Sequence, residues 1–344
     1  MNHDPRGFPW AAGAPSRRTR VLFSLAIGLC GAGLHYFKPG PDGGLSDFSG
    51  LWYGADVLLG GGNPYEMIGP GERIDLPSNL YYPAPALVAV MPFLLFQADV
   101  AGTLFVFLSA ALLAFGMTAD GWYRIPMLVS VPFLTAARLG QWSTLMTAAV
   151  FLPALAFFSI AKPQASLPVL AGSKSRLTWL FAVAGALMMV ALSFALLPSW
   201  LVAWTAEVAG SDYFSAPILS AGGVFIALVL FRWRRPEAWL VLMSACLPQT
   251  WYPYNALILL VVAATYREAC VLSLVSSFAW IAAYYYAPGE IRSEETQAMF
   301  RNVFIASGYL PATIAVLRRK NERPSPVWLR AVTKLATGMR HWRH

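Results

Sequence analysis

Long apolar runs recur along this chain, separated by short polar breaks. Runs of roughly 15–20 residues suit α-helices that cross the hydrocarbon core of a bilayer, where every backbone polar group must find its partner inside the segment. The composition agrees: 57% of the 344 residues are hydrophobic and 12% charged, against roughly 25% charged in a soluble domain. A soluble chain of this size could not bury so much apolar surface in one core. The alternating segments of roughly 10 residues that build a membrane β-barrel are not seen. The expected fold is therefore all-α, a polytopic transmembrane bundle of about twelve helices.

The net charge of +8 is informative through its placement. Arg17, Arg18 and Arg20 form one basic cluster, Lys174 and Arg176 another. Arg232, Arg234 and Arg235 form a third, and Arg318, Arg319, Lys320 and Arg323 a fourth. Each flanks an apolar run, which by the positive-inside rule predicts that both termini and these clusters are cytoplasmic, in a cell inner membrane. The bases do not form one face with interleaved aromatics, so nucleic acid is an unsuitable partner. Cys30, Cys246 and Cys270 show no paired spacing, and the histidines are His3, His35, His341 and His344, three of them in the tails. Neither set predicts a disulfide framework or a metal site.

The organisation follows. Residues 1–20 are a polar tail, 21–317 the membrane domain, and 318–344 a basic tail in which 327–339 carry the spacing of an interfacial helix on anionic lipid. The first run, 21–37, reads as an uncleaved signal-anchor. Residues 38–83 form the largest extracytoplasmic loop. Within the membrane domain, 84–96, 100–117 and 143–161 are each expected to cross. Residues 163–172 are too short for an undistorted bilayer at 1.5 Å per residue. The path of 125–172 stays open at this point. No internal repeat suggests a transporter with inverted halves.

The first loop holds most of the chemistry-bearing residues. From Asp47, the segment DFSGLWYGADVLL places Phe48, Leu51, Trp52, Ala55, Leu58 and Leu59 at helical spacing, predicting an amphipathic helix against the membrane surface. Asp47 falls in its first turn, where a carboxylate is favoured by the helix dipole. Two roles are open for it: a helix cap, or a base at the mouth of a cavity. Asp56 is the rival base, more than two helical turns away. Gly60 to Tyr65 end the helix, and Tyr81–Tyr82–Pro83–Ala84–Pro85 leads into the next apolar run.

An acid–Phe pair after the first helix, an aromatic-rich helix, the run Gly61–Gly62–Asn63–Pro64–Tyr65, and then Tyr81 to Pro85 together resemble glycosyltransferase family 87. These are polyprenyl-phosphate-mannose-dependent α-mannosyltransferases of the GT-C superfamily. RLGQWSTLM (Arg138 to Met146) is similar to that family's GQ-x-N motif, and Lys162–Pro163–Gln164 to its K-P element. Two positions depart from the pattern: Ser143 stands where the family usually has Asn, and Trp251–Tyr252–Pro253–Tyr254 has Pro253 in place of a histidine. The resemblance covers about residues 20–265. It implies a GT-C-like bundle, an outward-facing cavity, an inverting transfer and a catalytic aspartate at Asp47.

The chemistry is consistent with that resemblance. Phosphate is a good leaving group, so the protein must deprotonate an acceptor hydroxyl and neutralise charge on the departing phosphate. Asp47 is the candidate base. Arg138, Gln141, Lys162 and Tyr82 are candidate contacts to donor phosphate or sugar. Trp52, Tyr65, Trp251 and Tyr254 are candidate acceptor contacts, with Trp200, Trp204 and Tyr213 as further aromatics; an interfacial belt accounts for the same residues. No metal or other cofactor is expected with a monophosphate donor. The implied partners are a polyprenyl-phosphate sugar, a lipid or glycan acceptor and membrane lipid. The expected activity is transfer of a hexose, mannose in the first instance, on the extracytoplasmic face. A flippase for a lipid-linked sugar and a non-catalytic membrane assembly factor are the alternatives.

Overall fold

A computed structural model describes residues 15–37, 46–211, 214–290 and 293–321. The proposed interfacial helix at 327–339, Tyr213 and most of both tails lie outside these residues. The described chain is mostly helical. Among the described residues, four helices are long and apolar enough to cross a membrane: Ala98–Met117, Arg176–Leu196, Tyr266–Tyr285 and Glu294–Leu317. Twelve crossings are therefore not shown. Several of the expected spans are instead short or broken.

Helix α1 (Arg17–Tyr36) packs antiparallel on α5 (Ala98–Met117). Arg20 donates to the Phe115 carbonyl at one end, and His35 lies against Gly102 at the other. Small buried residues of α1, Ser24, Gly28 and Gly31, make the close approach possible, the usual device where lipid removes the hydrophobic drive between helices.

Between them, α2 (Asp47–Leu59) and the short α3 (Pro64–Met67) precede a minimal parallel pairing of β1 (Ile68–Gly69) with β2 (Ile74–Asp75). Helix α4 (Ala84–Val90) continues as a 3₁₀ turn, Met91–Leu95. The expected crossing at 84–96 is not what forms. Phe93 packs edge-on against Phe48 at the start of α2, and the Phe96 carbonyl accepts from Trp52 within α2. The segment lies along α2, and α5 therefore runs away from the end where α2 begins. The sequence 118–124 accordingly sits at the same end as Arg20.

The path of 125–172, open from sequence, runs through short helices. A 3₁₀ turn (Ile125–Val129) leads to α6 (Val131–Leu139), α7 (Trp142–Ala148), a 3₁₀ helix (Pro153–Ala161) and α8 (Pro163–Gly172). The expected single span at 143–161 is a hairpin. Its tip, Phe151, sits against Gly116 near the far end of α5. Its two feet meet, because Lys162 Nζ donates to Gln141 Oε1 at 2.7 Å across 21 residues. Pro153 has no N–H to continue the helix of α7 and marks the bend.

Next come α9 (Arg176–Leu196), which faces outward along most of its length, and α10 (Trp200–Ala209). Two 3₁₀ pieces follow, Pro217–Leu219 and Gly223–Arg232. After α11 (Pro236–Cys246) come a 3₁₀ turn, Pro253–Ala256, and the short α12 (Leu257–Leu260). Then α13 (Tyr266–Tyr285) and α14 (Glu294–Phe304) follow, the latter joined through one π-helical turn (Ile305–Tyr309) to α15 (Leu310–Leu317).

The two ends of the bundle differ in charge. Arg232 donates to the carbonyls of Leu317 and Arg319, and Arg235 to that of Lys320. Arg319 pairs with Glu237 at 3.2 Å and with Glu268 at 2.7 Å. Glu268 opens α13, whereas Tyr284 near its other end lines a large cavity. At 1.5 Å per residue, that helix separates the two ends by about 30 Å.

Candidate functional site

The cavity holds about 1000 Å³, the upper part of the range of small-molecule sites. Asp47, Tyr82, Arg138, Lys162, Tyr252, Tyr254 and Tyr284 all line it. Apolar side chains line it as well, among them Ile68, Leu76, Leu80, Trp204 and Val208.

Each polar group arrives from a separate element. Asp47 is the first residue of α2, exposed toward the cavity. The helix cap is the residue before it: Ser46 Oγ accepts from Ser49 N at 3.2 Å, and Ser49 Oγ accepts from Ser46 N at 3.3 Å. This reciprocal capping box removes the need for Asp47 as the cap. Phe48, fully buried, stacks on Phe105 at 4.9 Å and anchors the turn. Arg138 stands in the last turn of α6, which ends at Gly140 in the left-handed region, φ 65°. Lys162 precedes Pro163 at the start of α8, and Gln141 precedes α7.

Lys162 is 4% exposed. Its ammonium lies 4.9 Å from the Tyr254 ring centroid and 5.8 Å from that of Tyr82. Gln141 Oε1 accepts from Lys162 and, at 3.2 Å, from the Tyr82 hydroxyl. One amide oxygen thus holds a cation and a phenol in fixed relation, while the two rings present their negative faces to the ammonium. Lys162 lies outside the four long apolar helices. Burial pushes its pKa down, and the Asp47 carboxylate pulls it back up. Burial raises the phenol pKa values of Tyr82 and Tyr254, and the charge of Asp47 raises them further. Asp47 is thus in electrostatic reach of Lys162, Tyr82 and Tyr254.

Of the residues singled out from sequence, Asp47, Tyr82, Arg138, Lys162, Trp204 and Tyr254 share the cavity wall, and Gln141 lies directly behind it. Trp52, Tyr65, Trp200 and Trp251 do not line it. Trp52 donates to the Phe96 carbonyl. Tyr65 is buried, its hydroxyl donating to the Tyr82 carbonyl at 3.0 Å. It supports the Tyr82 loop from behind. Trp251 is buried edge-on against Phe304. Asp56 is exposed on α2 and does not line the cavity. Sequence reasoning passed over Tyr252 and Tyr284. Tyr252 stacks on Tyr254 with rings 5.6 Å apart and 4° from parallel. Its presence inside WYPYN was the available signal.

The loop carrying Asn79 to Tyr81, which lines the cavity, is tied to α10. Trp204 Nε1 donates to the Tyr81 carbonyl at 2.9 Å, and Asn79 Nδ2 to Glu207 at 2.8 Å. No protein-family model matches this chain, nor does any curated protein or any solved structure.

Proposed function

We propose that this protein is an integral membrane glycosyltransferase of the GT-C kind, which moves a hexose from a polyprenyl phosphate to a hydroxyl acceptor. The observation that carries the reading is the convergence of one carboxylate, two cations and several tyrosines on a single cavity that is also lined by apolar side chains. In this reading the acceptor O–H gives its proton to the Asp47 carboxylate. The freed oxygen pair attacks the anomeric carbon, the bond from that carbon to the phosphate oxygen breaks, and its electrons leave with the polyprenyl phosphate. Attack opposite the leaving group inverts the anomeric centre. Lys162 and Arg138 neutralise the phosphate, and the tyrosines stack on sugar faces. The apolar lining residues Leu76, Leu80, Trp204 and Val208 take the start of the isoprenoid chain.

Sidedness follows from charge. The cavity lies at the end of the bundle away from Arg232, Arg235 and Arg319, which by the positive-inside rule supports a site on the extracytoplasmic face of the inner membrane. Mannose is the first sugar to test, on the strength of the sequence resemblance.

The test is reconstitution in liposomes with radiolabelled polyprenyl-phosphate mannose and a membrane lipid extract. Transfer of label to a new lipid or glycan product supports the reading. Movement of the intact donor across the bilayer without transfer replaces it with a flippase.

A further inference from the structure

His35 has no part in the chemistry above, yet it sits where the pieces of the site are joined. It lies in the last turn of α1 and is 1% exposed. Its Nδ1 is 3.0 Å from the Arg138 carbonyl oxygen. A carbonyl can only accept, so this contact assigns the proton to Nδ1.

The ring shares its socket with Phe48, the residue after Asp47. Two glycines from other elements close that socket. A Cβ on Gly102 of α5 would lie 2.6 Å from His35 Nε2 and 3.2 Å from Phe48 Cδ1. A Cβ on Gly140 would lie 2.9 Å from Phe48 Cβ and 3.1 Å from His35 Cε1. Four residues from four separate stretches, 35, 48, 102 and 140, therefore fit only as a set. Asp47 is one residue from this set; Arg138 is two residues from it, and Gln141 one.

We propose that His35 is a positioning residue, whose hydrogen bond to the Arg138 carbonyl inside the Gly102–Gly140 socket fixes the α6–α7 turn against the start of α2 and so sets the separation of Asp47 from Arg138 and Gln141. The proposal rests on the transferase reading for its catalytic consequence, but not for its structural one. Base and leaving-group contacts must be held to well under an ångström for efficient transfer, and a misplacement of about 1 Å costs on the order of 100-fold. A socket without room for one extra carbon is suited to that tolerance.

The experiment compares wild type with His35→Leu, which fills the space without a donor, and His35→Asn, whose side-chain amide can donate from nearly the same place as Nδ1. Hydrogen exchange by mass spectrometry is measured on the reconstituted full chain. The expected result is faster exchange in 46–50 and 138–142 for His35→Leu, unchanged exchange in α13, and restoration by His35→Asn. Unchanged exchange in both segments, or a uniform rise across the protein, overturns the proposal. In the transfer assay, His35→Leu is expected to lower kcat about 10- to 100-fold with little change in donor KM, and His35→Asn to recover most of it. Equal loss in both variants overturns the hydrogen-bond role. If wild type itself transfers no sugar, the transferase reading fails while the exchange result still decides the joint.

Discussion

Among single residues, Lys162 is the most constrained. It is buried, boxed by two phenol rings and bonded to one amide oxygen. A lysine whose pKa is depressed by burial loses its charge at a lower pH than an exposed one. Binding that needs the ammonium is therefore full on the acid side and falls as pH rises, before the ordinary lysine value of 10.5 is reached. Titrating a short polyprenyl monophosphate between about pH 6 and 10 checks this, and affinity that stays flat across the range removes Lys162 from phosphate binding. Lys162→Met is expected to weaken that binding by about 1.5–3 kcal/mol at neutral pH, the worth of a charged hydrogen bond. Gln141→Leu strands the ammonium and the Tyr82 hydroxyl together. It should cost about 1–3 kcal/mol of stability, measured by denaturant unfolding in detergent. These polar residues were legible because polar side chains are rare in so apolar a chain. His35, Tyr252 and Tyr284 were not, since a histidine near a helix end and tyrosines near an interface have ordinary explanations.

For the elements, the start of α2 separates two roles that the sequence left joined. Ser46 caps the helix, so Ser46→Ala should lower stability by about 1 kcal/mol. Asp47→Asn should lower it by only the charge–dipole share, about 0.3–1 kcal/mol, and less in salt. The same thermal unfolding series measures both, and an equal, salt-independent loss would return the cap to Asp47. Gly140→Ala tests the joint after α6, because it forces a side chain into a left-handed backbone and against Phe48. It should cost about 1–2 kcal/mol from the backbone alone and more from the contact. The breaks inside 84–96 and 143–161 were hard to read for a physical reason. Hydropathy measures how well a segment tolerates lipid, and a run that doubles back tolerates it as well as one that crosses. Pro153 marks a bend in the run, but that the chain doubles back there shows in the meeting of Gln141 with Lys162, a tertiary contact.

In the whole molecule, the charged end and the cavity end lie at opposite ends of α13 and of the α1–α5 pair. The helical class and membrane character were legible from composition and run length alone. The number of crossings was not, because short and re-entrant helices satisfy the same hydropathy. The arrangement makes a topological claim. In a variant with its three native cysteines replaced, Ser78→Cys at the cavity should react with an impermeant maleimide from outside, whereas Asp120→Cys, beyond α5, should not. Labelling of both from one side would contradict the path drawn for α4 and α5. The central claim is that the Asp47 carboxylate takes the acceptor's proton, and the most direct measurement is single-turnover transfer of radiolabelled mannose from polyprenyl phosphate by wild type and by Asp47→Asn in liposomes. The account predicts a fall of at least about 100-fold with donor binding retained; transfer that continues at the wild-type rate contradicts it.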